Sequence, residues 1–265
     1  METILVTGAT GAMGGAAVAM LRERGYQVIG TSRKEDSEGW WALDISSAAS
    51  IRQFCERIQQ EHVRLDGLLN NAGTMMRHYE KTAEGIERTL ATNYLGTYRL
   101  TRALLPFMNE GARVVNTVSL TCYTSHLDKH FFDADEKDFS QLGTYGNSKM
   151  AVMLFSEELH RRYGDHIRVN VTDPGVVNSK MLHMDRWFDP LADLLFRPFT
   201  KSARQGATPA VNAVTSDCNL QLFRGNRHID IPRKWVRPEM AQWLWEETEK
   251  IEGGFYKFNV LTNKA

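Results

Sequence analysis

The sequence predicts an α/β fold, a doubly wound parallel sheet with helices on both faces, in a single domain spanning residues 1–265. Three observations predict it. Short apolar runs rich in β-branched residues alternate with longer stretches of helical periodicity, the pattern of βαβ units. A glycine-rich turn separates the first apolar run from the first helical stretch. No internal repeat, low-complexity tract or linker divides the 265 residues, and α/β domains of this size are often single.

The first run, Ile4-Leu5-Val6-Thr7, reads as a buried strand over 3–7. Gly8, Thr10, Gly11, Ala12, Met13 and Gly14 form the turn, and a helix is expected over 14–24. Strand, glycine turn and helix in that order make a phosphate cradle. Glycines let the backbone approach a pyrophosphate, and the N–H groups of the helix start point at it. A plain tight turn is the other reading of those glycines.

A second strand is expected over 27–31, followed by Ser32, Arg33 and Lys34. An acidic residue here would accept hydrogen bonds from an adenosine ribose 2′-hydroxyl. Ser32 is uncharged, and Arg33 can grip a phosphate with two N–H groups. This favours NADP, with NAD as the alternative because Glu35 and Asp36 lie close by. Only about ten residues separate Arg33 from Asp44, so the helix between the second and third strands is expected to be reduced or missing. Asp44, with Ile45 after it, either bonds an adenine edge or caps the next helix, which is expected over 48–61 with Ser46 or Ser47 as its cap.

The strand over 67–70 ends in Asn70-Asn71-Ala72-Gly73, small turn-forming residues that let a flat group lie against the backbone. A helix follows over 86–109. Asn93 lies in its middle, where asparagine is unfavourable, so it is expected to bond something specific. A strand over 113–118 leads to Ser119. Its hydroxyl can donate to a developing alkoxide or carbonyl oxygen, or it can cap a turn. Tyr145-Gly146-Asn147-Ser148-Lys149 opens a helix over 145–163. A spacing of four puts Tyr145 and Lys149 on one helix face. A cation beside a phenol lowers its pKa and makes it a usable proton donor and acceptor near neutral pH. Strands over 167–172 and, more weakly, 226–231, and a helix over 239–251, complete the pattern. The stretch 178–206 is long, aromatic and irregular and is expected to form a flap over a pocket.

The motifs in this order resemble the short-chain dehydrogenase/reductase superfamily. The matching residues are Thr7-Gly8…Gly14, Asp44, Asn70-Asn71-Ala72-Gly73, Asn93, Ser119, Tyr145…Lys149 and Pro174-Gly175. Local stretches around 93–101, 113–116, 199–207 and 243–246 are similar to the retinol-dehydrogenase-like branch. One departure is Ala12, which stands where the second glycine of the turn is usual, with Gly11 one place earlier.

The resemblance implies a Rossmann-like fold and hydride transfer between a nicotinamide cofactor and a carbonyl or alcohol. It implies Tyr145 as acid and base, Lys149 on the nicotinamide ribose, Ser119 on the reacting oxygen, and Asn93 ordering a helix and a water toward Lys149. Pro174, Gly175, Val177 and Ser179 would border the nicotinamide. It also implies a homodimer or homotetramer pairing through the helices over 86–109 and 145–163.

The remaining expectations concern partners. With 32 basic and 32 acidic residues the net charge is zero, which gives no sign of a nucleic-acid or membrane surface. Cys55, Cys122 and Cys218 are too dispersed for a metal site and fit a reducing compartment. No metal is expected, no membrane span is visible, and a cytoplasmic enzyme is expected. Tyr123, Thr124, His126 and the stretches 127–142 and 181–199 are expected to line a fairly apolar small-molecule pocket. Two other readings compete. One is a regulator of the same fold that senses NADPH without chemistry. The other is an epimerase or dehydratase, for which the chain after Gly175 is short.

Overall fold

The computed structural model describes residues 1–34, 39–125, 127–133, 135–177 and 201–253. Its strands are β1 (Thr3–Val6), β2 (Gln27–Ser32), β3 (Trp41–Ala42), β4 (Leu65–Asn70), β5 (Met108–Thr117), β6 (Ile167–Asp173), β7 (Gln221–Arg224) and β8 (Arg227–Asp230). They form one sheet in the order β3-β2-β1-β4-β5-β6-β7-β8. Neighbours run parallel from β3 to β7, and β8 closes the edge antiparallel to β7. The doubly wound α/β expectation is met.

β1 lies in the interior of the sheet, and Ile4, Leu5 and Val6 are fully buried. Successive side chains point to opposite faces of a strand. Ile4 and Val6 therefore pack with α1 (Ala12–Glu23) and α6 (Ala203–Val214). Leu5 packs on the opposite face, where α2 (Ala48–Gln60), α4 (Gly96–Leu104), α5 (Gln141–Tyr163) and α7 (Pro238–Glu252) lie. A strand buried on both faces needs an unbroken apolar run, which explains the first four residues of the cradle motif.

Some expected elements are drawn differently. The helix expected over 86–109 is α3 (Arg88–Leu90), a π-helical turn (Ala91–Leu95) and α4, followed by a 3₁₀ turn containing Pro106. Met108 and Asn109 already belong to β5. β7 and α6 were not expected. β7 is only four residues long with polar ends. α6 carries Pro209 in its interior, which hides a helix whose start is nonetheless fixed by a capping box between Ser202 and Gln205.

α7 covers α5. Trp245 is 1% exposed, edge-on to Tyr98 at 5.2 Å and stacked on Phe155 at 5.9 Å. Tyr94 and Thr248 share a 2.6 Å hydrogen bond. The buried Arg99 guanidinium donates twice to Glu252, at 2.7 Å each. The apolar faces of α4 and α5 are thus packed in part by α7. Among the described residues no helix is long and apolar enough to cross a membrane.

Candidate active site

In an open α/β sheet a ligand binds beyond the carboxyl ends of the strands, where the strand order reverses. Here that point lies between β1 and β4. A cleft of about 740 Å³ opens there, running from Thr31, Ser32 and Arg33 past the turn after β1 to Gly73 and Thr74.

The turn is built by two glycines. Gly8 sits at φ +71°, and a Cβ on Gly14 would stand 2.1 Å from the Gly8 carbonyl oxygen and 2.8 Å from Asn71 Nδ2. The first turn of α1 therefore packs directly on the backbone of the loop. Gly11, its N-cap, supplies no side-chain cap, so the N–H groups of Ala12 and Met13 open on the cleft. Thr10, Gly11, Ala12, Met13 and Gly14 all line it.

The loop after β4 is clamped to the end of β1. Thr7 Oγ1 accepts from Asn71 N and Ala72 N, each at 2.9 Å, and Asn71 Nδ2 donates to the Thr7 carbonyl at 2.9 Å. Asn71 thus spends its amide inside the protein, while Asn71, Ala72 and Gly73 also line the cleft. At the far end the Ser32 hydroxyl closes a turn on Lys34. That turn sets Arg33 on the cleft wall, exposed and with no carboxylate partner among the described residues. Asp44 Oδ1 accepts from Ser46 N at 2.9 Å and Ser46 Oγ at 2.7 Å. It therefore shapes the entry to α2, whose cap is Ser47, and it lines the cleft together with Ile45.

The reactive group assembles from three elements. Ser119 follows β5 and hydrogen-bonds the Tyr145 phenol. Lys149 lies one turn along α5, with Nζ 5.7 Å from the Tyr145 ring centroid. It is 4% exposed and donates to the Thr117 carbonyl at 3.0 Å. Burial pushes the Lys149 pKa down to about 8. Burial also holds the Tyr145 phenol above its ordinary range; the Ser119 hydrogen bond opposes this, and the charge of Asp173 adds to it. The spacing of four puts cation and phenol on one helix face, but the phenol is raised by burial rather than lowered by the cation, whose Nζ is engaged by the Thr117 carbonyl.

Asn93 lies in the π-helical turn and is 1% exposed. Its Nδ2 donates to the Thr74 carbonyl and to Ser148 Oγ, both at 2.9 Å, and its Oδ1 accepts from Thr74 N at 2.7 Å. Ser148 Oγ donates in turn to the Tyr145 carbonyl at 2.7 Å. A Cβ on Gly73 would stand 3.2 Å from Asn93 Oδ1 and 3.3 Å from Lys149 Nζ. Gly73, Asn93 and Lys149 therefore meet at one point.

After β6, Gly175 turns at φ +73°. Its N–H donates to Asp173 Oδ1 at 2.8 Å, and Lys201 Nζ donates to the Pro174 carbonyl at 3.0 Å. Val177 is buried against Gly206. Ser179, His126 and the stretch 181–199 lie outside the described residues. Tyr123 and Leu127, expected in the substrate pocket, line a separate cavity of about 440 Å³ with Met150, Leu154, Trp235 and Met240. Among the described residues no cluster of three metal-ligating side chains occurs.

Several cleft residues escaped the sequence reading: Thr31, Thr74, Met76, Glu80, Arg88 and Thr92. Thr31 and Thr92 adjoin residues that were singled out, which is a usable signal. Glu80 and Arg88 carry none; they meet in a 3.2 Å ion pair across a loop.

Comparison with known proteins gives the family. The short chain dehydrogenase family model matches residues 2–187. Human retinol dehydrogenase 12 is 35% identical over 219 residues, covering 80% of this chain and 68% of that protein. Human retinol dehydrogenase 14 is 30% identical over 292 residues, covering 95% and 86%. Among solved structures, an uncharacterized protein from Mycobacterium paratuberculosis superposes with a TM-score of 0.76 at 26% identity, over 94% and 92% of the two chains. A short chain dehydrogenase from Burkholderia cenocepacia, solved in complex with NADP, shares the fold with a TM-score of 0.64 at 22% identity, over 82% and 91%. The chain belongs to the short-chain dehydrogenase/reductase family, in its retinol-dehydrogenase-like branch, and so to the NAD(P)-dependent oxidoreductases.

Proposed function

We propose that the chain interconverts a carbonyl and an alcohol on a small, fairly apolar molecule, with NADP as its cofactor and Tyr145 as the acid in reduction and the base in oxidation. The observation that carries this reading is the convergence of Ser119 and Lys149 on Tyr145, with Lys149 Nζ beside Gly73 of the glycine-lined cleft.

The cleft fits a dinucleotide. The uncapped N-terminus of α1 offers backbone donors to a pyrophosphate. Arg33, without a carboxylate partner among the described residues, offers its guanidinium to a ribose 2′-phosphate. Asp44 and Ile45 flank the adenosine end, and Asn71, Ala72 and Gly73 lie along the middle; the family resemblance assigns Pro174, Gly175, Val177 and Ser179, the last outside the described residues, to the nicotinamide end. When bound, the cofactor supplies the hydride in reduction and accepts it in oxidation.

The chain's own residues handle the proton. Ser119 donates to the reacting oxygen, where negative charge develops. Tyr145 gives that oxygen its phenolic proton in reduction and removes it in oxidation. Lys149, one turn along the helix from Tyr145, anchors the nicotinamide ribose. Asn93 holds α5 in register with the loop after β4. The dispersed free cysteines favour a reducing compartment, and we assign the chain to the cytoplasm.

The test is NADPH oxidation with a panel of aldehydes and ketones that includes retinaldehyde. Turnover is expected to vanish in Tyr145→Phe while NADPH binding persists. Arg33→Ala should weaken NADPH binding and spare NADH binding. Undiminished turnover in Tyr145→Phe would overturn the assignment. NADPH binding without turnover on any carbonyl would favour a sensor of the same fold.

A further inference from the structure

Asp173 is the last residue of β6 and is fully buried. Its Oδ1 accepts from the N–H of Gly175, in the turn after β6. Its Oδ2 accepts from Arg224 of β7 twice, from Nε at 3.1 Å and Nη2 at 2.7 Å. Arg224 Nη2 also donates to the Tyr123 hydroxyl at 2.9 Å, and Tyr123 donates to Asp173 Oδ2 at 3.4 Å. Tyr123 is stacked on Trp235 with ring centroids 4.0 Å apart. A carboxylate removed from water is costly unless it is paired and hydrogen-bonded. Every partner of this one is in place.

We propose that Arg224 is a positioning residue for the reaction: through Asp173 it holds the Pro174–Gly175 turn, and it offsets part of the buried negative charge that faces the Tyr145 phenol. The proposal rests on the reading of Tyr145 as the acid and base.

The electrostatic setting of Tyr145 is specific. Ser119 hydrogen-bonds the phenol from the turn after β5. Cys122, on the same turn, is held as a neutral thiol, with burial raising its pKa to about 12. Lys149 lies on the phenol's own helix, 5.7 Å from the ring centroid. Lys201 Nζ sits on the Pro174 carbonyl, and Tyr123 and Arg224 face Asp173. Among the described residues Asp173 is the carboxylate whose charge acts on Tyr145, and it disfavours the phenolate. A like charge at short range raises the pKa of an acid, so the Arg224 guanidinium decides how much of that charge reaches the phenol.

The experiment is an ultraviolet titration of phenolate in the full chain. The Tyr145 signal is isolated by subtracting the Tyr145→Phe form in each background. In Asp173→Asn, a near-isosteric change that keeps an acceptor for Gly175, the Tyr145 midpoint should fall by about 1 pH unit. In Arg224→Met it should rise by a similar amount, and in Arg224→Lys it should stay close to that of the unmodified chain. If Arg224→Met does not fold, Asp173→Asn and Arg224→Lys still decide. A midpoint unmoved in Asp173→Asn, with only stability changed, overturns the proposal and leaves a structural ion pair. Carbonyl turnover surviving in Tyr145→Phe would instead overturn the acid and base reading, and the titration result would stand apart from it.

Discussion

Lys149 should lower the stability of the protein that depends on it. Its ammonium is 4% exposed, and one backbone carbonyl accepts from it. Burial takes its pKa from 10.5 to about 8. At 1.36 kcal/mol per unit, that displacement corresponds to a cost of about 3 kcal/mol at neutral pH. The sign follows from proton counting. Between about 8 and 10.5 the unfolded chain binds this proton more strongly than the folded one. Stability therefore rises with pH through that window, and the cost is fully present below it. Lys149→Met keeps most of the side-chain volume and removes the charge. It also forfeits the bond to Thr117, worth about 1 kcal/mol. The net expectation at pH 7 is a gain of about 2 kcal/mol, a rise in melting temperature of roughly 4–8 °C for a domain of this size. Urea and thermal unfolding of both forms, at pH 7 and again above the window, would measure it. The gap should close at the higher pH, while activity is lost at both. A variant less stable at pH 7, or a gap independent of pH, would refute the reasoning.

Two further expectations follow from packing. Gly14→Ala puts a methyl 2.1 Å from the Gly8 carbonyl oxygen, backbone against backbone. The loop must shift, and NADPH should bind at least about tenfold more weakly in a fluorescence titration, a loss of about 1.4 kcal/mol; unchanged affinity would mean the turn does not hold the cofactor. Trp245→Ala empties the aromatic cluster formed with Tyr98 and Phe155. It should cost about 3–5 kcal/mol in urea unfolding, and a loss under about 1 kcal/mol would mean that α7 contributes little to the folded core.

The fold was legible where a single physical demand decides the sequence. A doubly buried strand must be apolar throughout, so β1 stands out, while β6 is marked by apolar residues at alternate positions, Ile167, Val169 and Val171. A helix start packed on a backbone loop needs glycine, so Gly8 and Gly14 stand out. Elements set by tertiary context were harder to read. α6 conceals itself behind Pro209, and β7 becomes a strand only because β6 offers its edge. The long helix expected over 86–109 has the right apolar faces, but its periodicity cannot reveal that the strand begins at Met108. The site follows the same division. Tyr145, Lys149 and Ser119 carry local spacing or strand-end positions. The Asp173–Arg224 pair joins residues 51 apart in the sequence, and nothing local marks it.

Asn93 shows how such a distant requirement still leaves a local trace. An asparagine within a helix competes with the helix for hydrogen bonds, and here it lies in a π-helical turn, a form that recurs at functional sites. The bonds its side chain makes reach outside its own helix, to Thr74 on one side and Ser148 on the other. Ser148 passes the constraint to the Tyr145 carbonyl. A second polar path lies deeper: Asn70 donates to Asn116 at 2.8 Å, and Asn116 donates to Ser156 on α5 at 2.8 Å. Apolar packing alone would let α5 slide along the sheet at small cost, since hydrophobic contact is not directional. Two buried, directional links, at Ser148 and Ser156, fix its register. That register sets Lys149 beside Gly73, which lines the cleft, and keeps Tyr145 one turn away.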